Sequence, residues 1–183
     1  MIRLYRQHHP YPRFGAANYV TLVRGLMTAF LLYLAVRPPT SALAWVAGWT
    51  AGAIAALDGV DGWLARREQM PSAFGARFDM ETDAALLLVL SILVWRYDKA
   101  GAWVLLIGLM RYLFFAAGWV MPWLNRPLTP TRRGRVVAVT QMVTLAVILV
   151  MPRPVASTAA AVALTLLVWS FAIDVRRLWM ARS

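Results

Sequence analysis

The residues best suited to chemistry are four aspartates that occur as two pairs within one stretch of 26 residues. Asp58 and Asp61 are three residues apart, and Asp79 and Asp83 are four apart, so on helices each pair shares one face. The stretch holds six of the eight acidic residues of the chain, and its flanks are largely apolar. The simplest arrangement is two antiparallel helices, joined by a turn at residues 66–75, that present the two pairs to each other.

Four carboxylates in an apolar setting require a positive partner. A charged side chain at the centre of a bilayer costs about 2.5–3.5 kcal/mol on insertion scales, and mutual repulsion adds to this cost. Divalent cations such as Mg²⁺ bind oxygen ligands and commonly bridge carboxylates to substrate phosphates. We therefore expect a metal site at the aspartates. The alternative is a set of structural salt bridges with the nearby Arg66, Arg67 and Arg77.

The spacing of this stretch resembles the signature of the CDP-alcohol phosphotransferase family. That signature is Asp, two residues, Asp-Gly, two residues, Ala-Arg, eight residues, Gly, three residues, Asp, three residues and Asp. The chain matches all eight fixed positions, which are Asp58, Asp61, Gly62, Ala65, Arg66, Gly75, Asp79 and Asp83. A match at every position and every gap is a far more specific signal than a lone glycine-rich loop.

The resemblance implies that a substituted phosphoryl group moves from a CDP-alcohol to a second alcohol, with release of CMP. It also implies one or two Mg²⁺ or Mn²⁺ ions, held by Asp58, Asp61, Asp79 and Asp83. Asp83 is implied to be the general base, and the sequence leaves open whether it is also a metal ligand. The CDP substrate is expected at Thr21, Arg24, Gly62, Ala65, Arg66 and Gly75.

Arg24 lies near the start of the first apolar span, residues 18–36. A buried arginine needs a phosphate or carboxylate partner, whereas an arginine one turn into a span could also snorkel to the interface. Asn18, Thr21 and Arg24 resemble the Asn-x-x-Thr-x-x-Arg start of the first helix in bacterial phosphatidyltransferases. That resemblance places Thr21 and Arg24 near the nucleotide and its phosphates.

Some residues of the motif have a simpler interpretation. The small residues Gly62, Ala65 and Gly75 leave room for a base and a pyrophosphate, but they equally suit close packing of helices. Glu81 lies between Asp79 and Asp83, and on a helix it points away from both. We therefore expect Glu81 at the surface or behind the ligand set.

Four arginines are candidates for binding a phosphate of the acceptor: Arg111, Arg132, Arg133 and Arg135. Arg111 lies inside an apolar span, so it either pairs with an acid or holds a phosphate. The other three lie in a loop rich in Pro and Arg, residues 124–135. Gly134, Arg135 and Gln141 resemble the Gly-Lys-x-x-x-x-x-Gln segment of bacterial phosphatidylglycerophosphate synthases. The alternative for the arginines of this loop is that they only contribute to the excess of positive charge found on the cytoplasmic side of membrane proteins.

Apolar helices must position these residues. Of the 183 residues, 61% are hydrophobic, which exceeds the usual share of a soluble domain. The absence of cysteine from the sequence excludes disulfides and thiolate metal sites. We predict one all-α membrane domain over residues 1–183, with a six-helix bundle over residues 18–183 and its active site in a polar cavity on the cytoplasmic side. The six transmembrane spans are predicted at residues 18–36, 41–66, 73–95, 100–123, 134–151 and 155–173.

The net charge of +11 bears on partners and orientation. Because the basic residues flank apolar spans, we expect anionic lipid and phosphate-bearing substrates as partners rather than nucleic acid. Residues 1–17 are typical of an amphipathic segment at the interface, with His8 and His9 as surface histidines. With the N-terminus in the cytoplasm, fourteen basic residues lie on the inner side and four on the outer side. This asymmetry predicts an inner-membrane protein with both termini in the cytoplasm.

Three functions fit these observations. The first is a phosphatidyltransferase that uses CDP-diacylglycerol in phospholipid synthesis, for which the resemblance suggests a homodimer. The alternative within the family is transfer of phosphocholine or phosphoethanolamine from a soluble CDP-alcohol to diacylglycerol. A small ion or proton transporter would explain intramembrane acids, but it would not explain the spacing of Gly62, Ala65, Arg66 and Gly75.

Overall fold

The computed structural model describes residues 16–68, 73–125 and 131–180, and every regular element within them is helical. The side chains of residues 16–18, 60–68, 73–74 and 125 are not described. Within these ranges six α-helices follow one another: α1 Ala16–Val36, α2 Ser41–Glu68, α3 Ala73–Arg96, α4 Leu105–Val120, α5 Arg132–Ile148 and α6 Arg153–Met180. Two short 3-10 helices, Ala102–Val104 and Pro122–Asn125, flank α4. The predicted interfacial segment at residues 1–17, with His8 and His9, lies almost wholly outside the described residues.

Local signals set the helix boundaries. α1 ends directly before residues 37–39, Arg-Pro-Pro, because proline cannot continue a helix. The Thr40 hydroxyl accepts a hydrogen bond from the Leu43 N–H at 3.2 Å and so caps α2. The Thr131 hydroxyl caps α5 in the same way, accepting from the Gly134 N–H at 3.1 Å.

Two boundaries differ from the sequence predictions. Because Thr131 caps α5, that helix begins at Arg132, so the predicted loop at residues 124–135 was wrong for Arg132 and Arg133. Arg135 lies on the helix, as the predicted span at residues 134–151 had it. The predicted turn at residues 66–75 was too long, because α2 continues to Glu68 and α3 begins at Ala73. Gly75 therefore lies on a helix.

Four of the described segments are long and apolar enough to cross a membrane, by length and composition: Tyr19–Val36, Ser41–Gly59, Ala102–Val120 and Arg153–Met180. α3 does not qualify because its first half carries the acids Asp79, Glu81 and Asp83. α5 is 17 residues long and begins with basic residues. The described part of the chain is therefore all-helical with four candidate spans, and six crossings remain a prediction.

α3 and α5 each pack against three other helices. α1 packs against α2 and α3, and α3 also packs against α4 and α5; α5 packs against α2 and α6. The interior between them is apolar, with fully buried side chains such as Leu31, Ile54, Leu90, Leu145 and Leu149. Large apolar side chains also remain on the outer faces, which suits contact with lipid; among them are Trp45, Trp49, Phe115, Trp119 and Trp169.

Small residues bring some helices into backbone contact. A Cβ atom built on Gly108 of α4 would lie 2.4 Å from the Cα atom of Leu88 on α3. On α6, Ala156, Ala160 and Ala163 form a buried stripe at helical spacing. Close approach through small residues is typical of helix packing in membranes.

Polar contacts fix the register of α5 and α6. Arg133 forms an ion pair with Asp174, and the Gln141 Nε2 atom donates to the Ala163 carbonyl at 2.8 Å. The first contact joins the start of α5 to the last third of α6, whereas the second lies further along α5 but earlier along α6. The two helices are therefore antiparallel, and residues near the start of α5 lie beside residues near the end of α6.

Candidate active site

Three of the four motif aspartates converge. Carboxylate oxygens of Asp58, Asp79 and Asp83 lie within 4.8 Å of one another, and all three residues are partly buried. Asp58 comes from α2, whereas Asp79 and Asp83 share one face of α3. Asp61 follows Asp58 by three residues on α2, but its side chain is not among those described.

The guanidinium group of Arg24 contacts all three carboxylates. Its Nη2 atom lies 2.8 Å from Asp58 Oδ1 and its Nη1 atom lies 2.7 Å from Asp79 Oδ1. Nη2 also pairs with Asp83. The Arg24 side chain has no exposed surface. Arg24 therefore has carboxylate partners, one of the two kinds of partner expected for it, and it does not snorkel to the interface.

The position of α1 explains this contact. The expected picture, in which two helices face each other directly, is incomplete, because α1 packs against both α2 and α3 and supplies the cation. Sequence proximity suggested Arg66, Arg67 and Arg77 as partners instead. Arg77 is exposed on α3, and the side chains of Arg66 and Arg67 are not among the described ones.

The donor set of this acidic cluster, Asp58, Asp79 and Asp83, fits a divalent cation. The three carboxylates offer only oxygen atoms, which are the ligands that Mg²⁺ prefers. Their oxygens are close enough to share a small cation, and they already surround the positive group of Arg24. Binding of one or two metal ions, with Asp61 as a further ligand, remains a prediction.

The residues predicted to bind the CDP substrate lie on the same three helices. Thr21 is buried on α1, one turn before Arg24, and Gly75 lies on α3 one turn before Asp79. Gly62, Ala65 and Arg66 lie on the last two turns of α2, where side chains are not described; their predicted roles stay untested.

A cavity of about 400 Å³ lies beside the acidic cluster, between α3, α4, α5 and α6. Asp83 belongs to both features, because it lines the cavity and its carboxylate is part of the cluster. The other charged lining residues are Arg111, Arg135 and Asp174. The rest of the lining is mostly apolar and includes Met80, Leu87, Ile107, Leu167 and Phe171.

The four candidate acceptor arginines differ in their partners. Arg111 Nη2 lies 2.7 Å from Glu81 Oε1, and both side chains are partly exposed. Arg133 pairs with Asp174. Arg132 and Arg135 are exposed, and within the described part of the chain neither forms an ion pair with an acid. Arg135 is thus the cavity arginine whose charge is not already matched by a neighbouring carboxylate.

Two acids acquire a clear position that the sequence did not give. Glu81 lies at the surface, as expected, but its pairing with Arg111 was not predicted. Asp174 lines the cavity and was not considered a site residue. The available signal for Glu81 was Arg111, an isolated charge within an apolar span, for which an acid on another helix is a favoured partner.

Comparison with known families agrees with the motif. A family model described as CDP-alcohol phosphatidyltransferase matches residues 14–173, which is most of the chain. The matched range contains the whole acidic cluster and all of the cavity lining except Asp174. No curated protein matches the chain.

Proposed function

This chain belongs to the CDP-alcohol phosphatidyltransferase family, and on that premise we propose that it transfers a phosphatidyl group from CDP-diacylglycerol to an alcohol and releases CMP. Membership makes it a membrane transferase of lipid synthesis that acts on a CDP-alcohol. The observation that carries the proposal is the position of Asp83. This carboxylate is shared by the acidic cluster and the adjoining cavity, so one group borders both the expected site of the donor and a space for the acceptor.

Asp83 is the proposed general base. An acceptor hydroxyl in the cavity would give its proton to the Asp83 carboxylate, which must lie within hydrogen-bond reach. The acceptor oxygen then bonds to the phosphorus that carries the diacylglycerol, and the bond from this phosphorus to CMP breaks. CMP leaves with the electron pair of that bond. Asp83 is also proposed as a ligand of the metal site.

Asp58, Asp61 and Asp79 are the proposed principal ligands of one or two divalent ions, Mg²⁺ or Mn²⁺. Such ions, when bound, neutralise pyrophosphate charge and stabilise the attacking and leaving oxygens. The aspartates hold the ligand oxygens on rigid helices, and this limits the rearrangement that binding requires. The measured proximity of Asp58, Asp79 and Asp83 supports this assignment.

The nucleotide and phosphates of the donor are proposed to lie against α1 and the end of α2. Thr21 and Arg24 come from α1, and Arg66 with the small residues Gly62 and Ala65 comes from α2; Gly75 of α3 completes the set. The burial of Arg24 within the cluster supports a position close to the pyrophosphate. Its guanidinium group is also suited to hold phosphate oxygens.

The acceptor is proposed to bind in the cavity beside Asp83. Arg111 and Arg135 line the cavity, and Arg132 and Arg133 precede Arg135 in the first turn of α5. All four are proposed to attract an acceptor phosphate, with Arg135 as its direct contact. Support comes from the pairing pattern, because Arg111 and Arg133 already have acidic partners whereas Arg135 does not.

We propose that all six helices cross the inner membrane, with both termini in the cytoplasm, and that the protein is a homodimer. The arginine distribution supports this orientation, because fourteen basic residues then lie inside and four outside. The acidic cluster would open to the cytoplasm, where a nucleotide product can leave. Exposed tryptophans on the outer faces suit contact with lipid or with a second copy.

The proposed function is tested by CMP release from CDP-diacylglycerol with Mg²⁺, using purified protein and a panel of acceptors. The panel contains glycerol 3-phosphate, inositol phosphate, serine, glycerol and phosphatidylglycerol. Release that depends on one acceptor supports the proposal. Release only from CDP-choline or CDP-ethanolamine with diacylglycerol would replace it with the other branch of the family. If CMP is released under neither condition, the proposal is wrong and ion transport becomes the next experiment.

A further inference from the structure

The cavity beside Asp83 has a charged end and an apolar end. Asp174 and Arg135 lie at one end, because the Arg133–Asp174 pair places the start of α5 beside this part of α6. Leu167 lies two turns before Asp174 on α6, and Ala138 lies one turn after Arg135 on α5. Both helices therefore pass from charged to apolar lining in the same direction.

The other two walls change in the same direction. Asp83 on α3 and Arg111 on α4 lie near the same level, because Glu81 of α3 pairs with Arg111. One turn beyond Asp83 along α3 is Leu87, and one turn before Arg111 along α4 are Ile107 and Gly108. On α5 and α6 this apolar end lies nearer the middle of the helix than the charged end does, whereas on α3 Asp83 itself lies near the middle and on α4 the apolar residues lie nearer the helix start than Arg111.

This gradient does not suit a small polar acceptor. A sugar alcohol or glycerol phosphate that entered the inner end would bring hydroxyl groups against Leu87, Ile107 and Leu167, where burial without a hydrogen-bond partner is unfavourable. Hydrocarbon in the same place would bury apolar surface favourably. The order of charged head and apolar interior is also the order of a lipid within one leaflet.

The charges at the outer end favour an anionic head group. Within the described residues Arg135 has no ion pair, although it lines the cavity. Arg111 lines the same end and remains partly exposed beside Glu81. Guanidinium groups bind phosphate through short, charge-assisted hydrogen bonds. An uncharged diacylglycerol would leave this contact unused.

From this arrangement we infer that the acceptor is an anionic lipid alcohol, a phospholipid with a free hydroxyl in its head group. Its hydroxyl reaches Asp83, its phosphate contacts Arg135, and hydrocarbon lies against the inner end formed by Leu87, Ile107 and Leu167. The inference rests on the proposed transfer reaction and adds the chemical class of the acceptor. Met80 lines the cavity and is half-exposed, so the apolar part of the lining reaches the outer surface of the protein at this residue.

The test compares acceptors that share a head group but differ in hydrocarbon. CMP release from CDP-diacylglycerol is measured with glycerol 3-phosphate and with phosphatidylglycerols of increasing chain length, in mixed micelles at fixed surface concentration. We expect kcat/KM to rise with chain length and to exceed that for glycerol 3-phosphate by about 10-fold or more, as for other apolar pockets. This comparison uses the unchanged protein, so it does not depend on the folding of a variant.

A pair of variants locates the effect in the cavity. Ala138→Phe fills the inner end, whereas Val139→Phe adds the same side chain on the neighbouring exposed position of α5. We expect Ala138→Phe to lower kcat/KM for long-chain phosphatidylglycerol by about 10-fold or more, with the KM for CDP-diacylglycerol unchanged. Val139→Phe should stay close to the unchanged protein.

Four results would overturn the inference while the transfer reaction stands. These are a preference for glycerol 3-phosphate or inositol phosphate, indifference to chain length, a preference for diacylglycerol, and an Ala138→Phe effect on the KM of the donor instead of the acceptor. If no acceptor, soluble or lipid, gives CMP release from any CDP-alcohol, the proposed function fails, and the inference falls with it.

Discussion

Arg24 of α1 and Asp79 of α3 form an ion pair of 2.7 Å in which the arginine side chain is wholly buried. The same guanidinium group reaches Asp58 at 2.8 Å and also pairs with Asp83. One arginine thus ties together the two halves of a motif whose first half lies on α2 and whose second half lies on α3. Carboxylates this close repel one another strongly, so the pairing bears on stability as well as on function.

Arg24→Gln should destabilise the protein when divalent ions are removed. Loss of one partner from a fully buried ion pair costs about 3–5 kcal/mol, and the loss here should be smaller because the three carboxylates are partly exposed. We expect a lower unfolding temperature in a chelating buffer and partial recovery on addition of Mg²⁺, since another cation can neutralise the acids. Thermal unfolding in detergent measures both effects.

Arg37→Gln is the matched control for Arg24. Arg37 follows the end of α1, is exposed and lies over the Tyr33 ring at 5.7 Å, so its loss should matter little. If Arg24→Gln were no more damaging than Arg37→Gln, the contact with the acidic cluster would not contribute to stability.

Gly108→Ala should separate α3 from α4. The new Cβ atom would lie 2.4 Å from the Cα of Leu88, and a backbone neighbour cannot move aside as a side chain can. Overpacking of this kind costs about 1–3 kcal/mol. Gly52→Ala is the control, because a Cβ there meets no atom within 4 Å. Thermal unfolding should show a loss for the first variant and none for the second, and equal behaviour would contradict the tight packing at Gly108.

The sequence was informative about helices and about the motif, for a physical reason. Apolar runs bounded by proline and polar residues reveal helices without knowledge of tertiary contacts, and the six predicted segments correspond to the six α-helices. The family was likewise readable from the Asp58–Asp83 spacing, and the family model confirms it. The start of α5 was missed because the cap by Thr131 was not recognised within a segment rich in Pro and Arg.

Contacts between distant residues were not readable in the same way. Arg24 was expected to need an anionic partner, but nothing local chose the three carboxylates over a phosphate, since the choice depends on how α1 packs. The pairing of Glu81 with Arg111 and the cavity shared by α3 to α6 also depend on packing between helices. The periodicity of a single segment does not show which helix faces pack against each other.

Arg135→Gln should raise the KM for the acceptor more than it lowers kcat. Arg135 lines the cavity, and a guanidinium group that binds a substrate phosphate equally in the ground state and the transition state acts mainly on KM. We expect a rise of about 10-fold, typical of one lost charge-assisted hydrogen bond. Steady-state kinetics of CMP release with a phosphate-bearing acceptor measure it. Arg177 is an exposed arginine near the end of α6, and Arg177→Gln should not change the KM for the acceptor. A similar rise in that variant would indicate that loss of any positive charge, rather than of a contact in the cavity, raises the KM.

Removal of divalent ions should stop CMP release. The oxygen donor set of Asp58, Asp79 and Asp83 suits Mg²⁺ or Mn²⁺, so chelation should abolish turnover and either ion should restore it. Asp58→Asn should raise the Mn²⁺ concentration needed for binding, measured directly by electron paramagnetic resonance of free Mn²⁺. Turnover that persists in excess chelator would contradict a role for metal, and unchanged Mn²⁺ binding in Asp58→Asn would contradict the assigned ligand.

The most direct test of the central claim compares Asp83→Asn with Glu81→Gln. Both changes remove one negative charge from the same turn of α3, but Asp83 borders the cavity and the cluster whereas Glu81 pairs with Arg111 at the surface. CMP release is measured beside binding of CDP-diacylglycerol. We predict that Asp83→Asn lowers kcat by about 100-fold or more, as expected for loss of a general base, with donor binding partly retained and Glu81→Gln near normal. Equal loss of binding and turnover in Asp83→Asn, or equal loss of turnover in both variants, would contradict a dedicated base at Asp83.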